Sequence, residues 1–345
     1  MAVQSLAIKY RPQTFDDVTE QGEIKTILQN QLKSGEVKNA YLFCGGAGTG
    51  KTTCARIFAK EINHGEGTPI ELDAASNNSV EDVRDIISRA KTASINSEYK
   101  VFILDEVHML SNSAWNAMLK LLEEPPMKSI FIMCTTDPQK IPKTILSRVQ
   151  RYNFQRISQL GIETRLMWIL DTEGIESETL EAIQYIAKLA NGGMRDAITA
   201  LDKCLAYDSN LSLDNVITAL GLADYSTMFN LLVAISDKDE AGILALIDDI
   251  HMSGKDLKQF MKQFTNFVLD VTKYYITGKI SMTTIPSSYE QTVKKIRDDG
   301  LNMAITHILA VLIKLNAEIK WDTSPKATIE ATLILLVEGK NDWTV

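Results

Sequence analysis

The sequence predicts an α/β domain built on a parallel sheet, followed by two all-helical modules. Three observations carry this reading. Short β-rich runs alternate with helical stretches through the first 155 residues, the pattern of βαβ units. One run, Val101-Phe102-Ile103-Leu104, is apolar without alternation, as a strand covered on both faces should be. After about Arg156 the strand signal fades, and helical segments follow one another.

The elements are expected in this order. Strands fall at 41–44, 69–72, 100–105 and 129–135, with helices near 51–63, 79–93 and 113–124. Ser79-x-x-Asp82 reads as a capping box opening the second of these helices. Four short helices follow over 158–172, 177–190, 194–206 and 212–220. Gly174, Gly192-Gly193 and Asp208-Ser209-Asn210 punctuate them. A further boundary is expected near Gly221–Asp224, and a helical bundle beyond it. In 257–275, Leu257, Phe260, Met261, Phe264, Phe267, Val268, Val271 and Tyr274 mark one face of a helix, read as core without chemistry.

Composition narrows the function classes. The 345 residues are 45% hydrophobic and 23% charged, ordinary for a globular chain of two or three domains. The net charge of −8 excludes a protein simply coated with basic residues for DNA. Any nucleic-acid contact must come from a local patch or from several copies side by side. No apolar stretch approaches the roughly 18 residues of a membrane helix. The richest, Ile305 to Leu315, is broken by His307 and Lys314. The N-terminus lacks a basic n-region, so no secretory signal is expected and no membrane partner. Cys44, Cys54, Cys134 and Cys204 are widely spaced, which points to free thiols in a reducing cytoplasm and to no zinc site.

The strongest motif is Gly45-Gly46-Ala47-Gly48-Thr49-Gly50-Lys51-Thr52, which fits G-x-x-x-x-G-K-[ST] between a predicted strand and a predicted helix. Glycines let backbone N–H groups close around phosphate oxygens, and the helix N-terminus adds partial positive charge. Lys51 is expected to reach the β/γ-phosphates of ATP, and the Thr52 hydroxyl to help hold Mg²⁺, with Thr53 next to it on the same site. A second constellation, Asp105-Glu106, ends an apolar strand, where ligands of a parallel sheet bind. Asp105 is placed to support Mg²⁺ through water, and Glu106 to orient or deprotonate the attacking water. His108 follows closely but is read as a packing or hydrogen-bonding residue and is left out of the site.

Several further stretches resemble a known family. These are Asp105-Glu106-Val107-His108-Met109-Leu110, Leu119-Lys120-Leu121-Leu122-Glu123-Glu124-Pro125-Pro126, Thr135-Thr136-Asp137-Pro138-Gln139-Lys140-Ile141-Pro142 and Ser147-Arg148. With Tyr10-Arg11-Pro12-Gln13-Thr14-Phe15 and Gly192-Gly193-Met194-Arg195-Asp196, they resemble the γ/τ subunits of the bacterial DNA polymerase III clamp loader, which are AAA+ ATPases. The matching motifs cover about residues 6 to 200. The resemblance implies an AAA+ P-loop ATPase domain over 1–156, a helical lid domain over 157–222 and a helical collar domain over 223–345. It implies that Tyr10, Arg11, Pro12 and Val18 line the adenine pocket. It makes Thr136 the first sensor, Arg195 the second, contacting the γ-phosphate in cis, and Arg148 an arginine finger for a neighbouring subunit. Taken alone, Arg148 also reads as a surface arginine and Arg195 as one half of a helix-end salt bridge.

The family usually carries a four-cysteine zinc module after the helix that follows the phosphate loop. Here that interval is only Asn63 to Thr68, without cysteine, so a form lacking the zinc module is expected. The form expected also lacks a C-terminal extension for polymerase or helicase binding.

The resemblance also bears on DNA. In the family, helices at positions 79–93 and 113–124 line the inside of a subunit spiral and track the duplex backbone. Arg84, Ser88 and Lys91 share one helical face, as do Asn116 and Lys120. Arg84, Lys120 and Asn78 are the expected phosphate contacts, which position DNA without reading sequence. The plainer reading of the same residues is a solvated charged face, with Glu81, Asp82 and Asp85 nearby.

The function expected is the ATPase motor of a sliding-clamp loader, with other loader subunits in a five-subunit spiral, the clamp and primer–template DNA as partners. Two other readings stay open at this point: a non-hydrolysing AAA+ scaffold subunit, and an AAA+ helicase or branch-migration motor.

Overall fold

The protein is described by a computed structural model covering residues 4–92, 97–175 and 180–339. In chain order the elements are α1 (Leu6–Lys9), α2 (Gly22–Ser34), β1 (Ala40–Cys44), α3 (Lys51–Ile62), β2 (Ile70–Asp73), α4 (Val80–Ala90), β3 (Lys100–Asp105), α5 (Asn112–Glu123), β4 (Ser129–Thr135), α6 (Lys143–Leu146), β5 (Gln150–Asn153) and α7 (Gln159–Glu173). Then come α8 (Leu180–Leu189), α9 (Met194–Tyr207), α10 (Leu213–Ala219), α11 (Tyr225–Asp237), α12 (Glu240–Met252), α13 (Leu257–Thr277), α14 (Glu290–Asp299), α15 (Ile305–Glu318) and α16 (Pro325–Glu338). They pack as two compact units, one of residues 1–175 with 190–202, the other of 176–189 with 203–345. The sequence divides the chain into three at 156 and 222, whereas packing divides it into two, and the dividing line cuts α9.

The first unit is built on a parallel sheet of order β2-β3-β4-β1-β5. Side chains alternate between its two faces. Leu42, Phe102, Leu104, Phe131 and Met133 pack with Val83 and Ile86 of α4 and with Trp115 and Met118 of α5. Tyr41, Phe43, Ile103, Ile130 and Ile132 pack on the other face with Leu28 of α2 and Phe58 of α3. Both faces are therefore sealed, which is why β3 and β4 are apolar between their polar end residues. The carboxyl ends of β1, β3 and β4 converge on Gly45, Asp105 and Thr136, so the sheet delivers the candidate site residues to one edge.

The sequence reading misses the short helices α1 and α6, the helix α2 and the strand β5. β5 reads Gln-Arg-Tyr-Asn, and only Tyr152 is buried, because it is an edge strand paired on one side to β1. The helix α2 buries only Ile24 and Leu28, so its apolar stripe is thin. The Ser79 capping box forms as expected: Ser79 Oγ accepts from Asp82 N–H, and the Asp82 carboxylate accepts from Ser79 N–H. That helix ends at Ala90, three residues short of the expected 93, which itself lies outside the described residues. The first residues of the helix expected from 177 also lie outside them.

The second unit is helical. All eight apolar residues read along 257–275 are buried on one face of α13. Asp270 of α13 is also buried. It accepts from Thr284 N–H at 2.7 Å and Lys273 Nζ at 2.6 Å, and so ties the 283–285 segment to the helix. Tyr185, Tyr225, Phe229, Phe267 and Tyr289 form a connected aromatic cluster in the same unit.

Candidate functional site

The site is a cavity of about 500 Å³ within the first unit. One wall is the 45–52 loop, thrown between β1 and α3. Gly45 passes so close to Phe154 that a Cβ would lie 2.6 Å from its carbonyl oxygen. Gly48 holds φ +69°, and a Cβ there would meet Gly193 Cα at 2.9 Å. Only glycine fits such a close backbone approach. Lys51 opens α3 and is buried, its Nζ donating to the carbonyls of Gly45 and Gly46 at 2.8 Å each. Burial pushes its ammonium below the usual lysine value, and the carboxylates of Glu106 and Asp105 oppose that shift.

Thr52 Oγ1 donates to Asp105 Oδ2 at 2.7 Å, while Asp105 Oδ1 accepts from Glu106 N–H at 3.0 Å. Two hard oxygen donors thus meet beside the phosphate loop, a pairing suited to magnesium. Glu106 sits at φ +48°, a left-handed conformation that costs a non-glycine residue and marks functional turns. Its carboxylate accepts from Thr136 Oγ1 at 2.9 Å and, less closely, from Thr136 N–H at 3.3 Å. His108 Nδ1 lies 3.2 Å from the same carboxylate oxygen.

The opposite wall is assembled from distant segments. Tyr10 is buried; its hydroxyl donates to Glu173 at 2.7 Å, and its ring meets Trp168 edge-on at 5.5 Å. Lys9 donates to the same Glu173 oxygen, and these bonds hold the Glu173 carboxyl below the usual glutamate range. Arg165 of α7 stacks on Trp168 at 4.2 Å and donates to the Tyr10 carbonyl at 3.0 Å. Gln21, also buried, exchanges hydrogen bonds with the Gln155 backbone at 2.8 and 3.1 Å. At the far side Met194 N–H donates to the Gly48 carbonyl at 3.0 Å, which brings Arg195 to the phosphate loop.

Most predicted residues converge. Tyr10, Arg11, Pro12, Val18, Ala47, Gly48, Thr49, Gly50, Lys51, Thr52, Thr53, Asp105, Glu106 and Arg195 all line the cavity. Gly45, Gly46 and Thr136 stand just behind it, through Lys51 and Glu106 respectively. The salt bridge entertained for Arg195 does not form among the described residues. Arg148 does not line this cavity. Its guanidinium is held instead by Glu123 at 2.7 Å and by the Thr144 carbonyl at 2.7 Å. Arg165 and Ile157 line the cavity without having been predicted, since nothing local in their sequence marks them, and Asp196 lines it from within the Gly192–Asp196 motif. Arg84 and Lys120 are exposed on the adjoining helices α4 and α5, and Asn78 is exposed just before α4. Ser111 N–H donates to the Asn78 carbonyl and brings the two helix starts together.

Three family descriptions match the chain in succession. The family described as DNA polymerase III, delta subunit, matches residues 64–158. The clamp loader subunit ATPase lid domain matches 161–210, and gamma and tau domain III matches 211–341. DNA polymerase III subunit gamma of Buchnera aphidicola (from Acyrthosiphon pisum) is 31% identical over 98% of this chain and 100% of its own length. The chain belongs to the DNA polymerase III γ/τ subunit family. Subunit tau of Bacillus subtilis is 34% identical over 98% of this γ/τ-family chain, and subunit tau of Salmonella typhimurium 32% over 97%. The chain spans 64% and 55% of those two relatives.

Among solved structures, the RuvB Holliday junction branch migration motor of Thermotoga maritima superposes with a TM-score of 0.52 at 20% identity, covering 66% of this chain and 80% of that one. A point variant of the same motor covers 74% and 90% with the same score. At this identity the likeness establishes the fold, a parallel sheet covered by helices, and nothing more. Among the described residues no helix is long and apolar enough to cross a membrane.

Proposed function

We propose that this γ/τ-family chain is an ATPase motor subunit of a cytoplasmic DNA sliding-clamp loader. The observation that carries the proposal is the convergence of Lys51, Thr52, Asp105, Glu106 and Arg195 on one cavity of nucleotide size. A scaffold subunit would have no use for the full set. Tyr10, Arg11, Pro12 and Val18 supply a flat, mostly apolar wall for adenine. Lys51 and the loop N–H groups grip the β- and γ-phosphates. Thr52 and Asp105 would hold magnesium, which when bound neutralises charge on the same phosphates.

Glu106 takes a proton from water as the water oxygen bonds to the γ-phosphorus. The bond from that phosphorus to the β–γ bridging oxygen breaks, and ADP and phosphate leave. Arg195 offsets developing charge in cis. Arg148 lies off its own cavity and serves a neighbour's in trans.

On this reading residues 1–156 are the motor, 157–222 the lid and 223–345 the collar. The partners are other loader subunits in a five-subunit spiral, the clamp and primer–template DNA. Asn78, Arg84 and Lys120 contact the duplex backbone, and the spiral concentrates what a single acidic chain presents only locally.

ATP hydrolysis by verified monomer and by the assembled complex tests the proposal. Monomer should be feeble, and clamp with primer–template should stimulate the assembly. Arg148→Ala in the assembly should lower the rate by about 10³-fold or more. Strong hydrolysis by monomer, unchanged in Arg148→Ala, overturns the trans role. Mass measurement with ATP separates a five-subunit loader from a hexameric helicase.

A further inference from the structure

We infer that Arg165 binds the nucleoside half of the nucleotide, donating from the edge of its guanidinium to an acceptor on the base or the ribose. This rests on the reading of Tyr10, Arg11, Pro12 and Val18 as the adenine wall. No local motif marks Arg165; its surroundings do.

Arg165 and Trp168 lie three residues apart on α7 and share a helical face. The guanidinium carbon sits 4.2 Å from the indole centroid, a cation over an aromatic ring. Arg165 lines the cavity and Trp168 does not. The indole thus braces the guanidinium without itself reaching the cavity. One edge of the fork is fixed as well, because Nη2 donates to the Tyr10 carbonyl at 3.0 Å. Trp168 also meets the Tyr10 ring edge-on, so the indole holds both partners of that bond.

Counting donors shows what is left over. A guanidinium carries five N–H groups. Stacking engages its face, and among the described residues only the Tyr10 carbonyl accepts from its edge. No carboxylate forms an ion pair with it among those residues. Asp17 acts on it through space, but that carboxylate already accepts from Gln13 N–H, Thr14 N–H and Thr14 Oγ1. Arg165 is half-buried, and burial pushes its guanidinium below the ordinary arginine value, with the Asp17 charge opposing the shift. A half-buried cation with free donors is costly until an acceptor enters the cavity beside it.

The two ends of the cavity decide which part of the nucleotide supplies that acceptor. Lys51 and the loop N–H groups collect at the phosphate loop, whereas Arg165 is held against Tyr10 and feels Asp17. A carboxylate acting on the same spot disfavours a polyanion there and leaves a neutral nucleoside as the better fit. Adenine ring nitrogens and ribose hydroxyl oxygens are acceptors of the right kind. Adenine and guanine both carry such acceptors, so a donor-only group adds affinity for the nucleoside without choosing between purines.

The test uses the full chain in equilibrium titrations of ATP, ADP and inorganic tripolyphosphate, with steady-state hydrolysis and melting without ligand. Arg165→Met keeps a stem on Trp168 and removes every donor. It should weaken ATP and ADP alike by about 10- to 100-fold, and tripolyphosphate by no more than about twofold. KM should rise in step, with kcat at saturating ATP within about twofold of the parent. Arg165→Lys keeps a cation and a donor for the Tyr10 carbonyl but loses the fork. It should melt with the parent and still bind ATP about tenfold or more weakly. If Arg165→Met fails to fold, Arg165→Lys carries the test by itself.

Unchanged ATP affinity in either variant overturns the inference. An equal loss for tripolyphosphate overturns it too, by placing Arg165 on the phosphates. Full recovery of both melting and affinity in Arg165→Lys reduces Arg165 to a tie for the Tyr10 arm. The parent protein separates the two claims. ATP bound no more tightly than tripolyphosphate removes the adenine-wall reading and Arg165 with it. A strong preference for ATP that survives intact in Arg165→Met removes only Arg165.

Discussion

The two walls of the nucleotide cavity are built in opposite ways. The phosphate wall is one continuous run, Gly45 to Thr53, shaped by its own backbone and by Lys51 bonding back to its own loop. The facing wall gathers α1, α7 and the start of α9, tied by Tyr10–Glu173, Arg165–Trp168 and Met194–Gly48. A local wall keeps its shape as long as its loop does. An assembled wall keeps its shape only while every tie holds, so it is the wall able to respond to what is bound.

Four changes should break or sharpen this contrast. Lys51→Ala strikes the local wall and removes its buried cation. It should cost on the order of 10²–10³ in hydrolysis, with a matching loss of nucleotide affinity in equilibrium titration. Arg195→Ala strikes the assembled wall at a side chain that makes no hydrogen bond or ion pair among the described residues. It removes a charged donor worth about 1.5–3 kcal/mol, so kcat should fall roughly 10- to 100-fold while the thermal midpoint stays put. A lowered midpoint would mean the residue is structural.

Gly48→Ala attacks the seam between the walls. A left-handed alanine costs about 1–2 kcal/mol, and its Cβ pushes on Gly193. Nucleotide affinity should fall about tenfold or more, and Arg195 should lose its effect in the double variant.

The smallest effect is on pH. Glu173 is held below the ordinary glutamate value of 4.5 by the hydrogen bond from Lys9, then by that from Tyr10. A carboxyl lowered by folding stabilises the fold above the ordinary value, and that stabilisation fades as pH falls through the lowered one. Glu173→Gln should therefore melt earlier than the parent at pH 7, and the gap should close below about pH 4. A gap that is constant with pH would assign the effect to packing of the Tyr10 arm.

How much of this is legible in sequence depends on where the information lies. The phosphate loop and Asp105-Glu106 can be read because their chemistry is fixed by close neighbours in the chain. The central strands can be read because burial on both faces demands apolar side chains between their ends. β5 cannot, since an edge strand carries polar residues and borrows its identity from β1. His108 reads correctly as a hydrogen-bonding residue, but its partner, Thr135, becomes visible only once the turn after Glu106 sets the ring against β4. Arg165 is invisible because its partner, the Tyr10 carbonyl, lies 155 residues earlier in the chain.

The sequence by itself determined the chemistry: a loop that can close on phosphate, two carboxylates after a buried strand, and a set of motifs that mark the γ/τ family. A backbone turn and its glycines are short-range physics, settled by sterics over a few residues. The tertiary structure decided which distant side chains face that loop. It placed Arg195 at the cavity and Arg148 outside it, and it cut the chain into two units through α9. Those outcomes depend on long-range packing, where many weak contacts are summed and no single residue type announces the result.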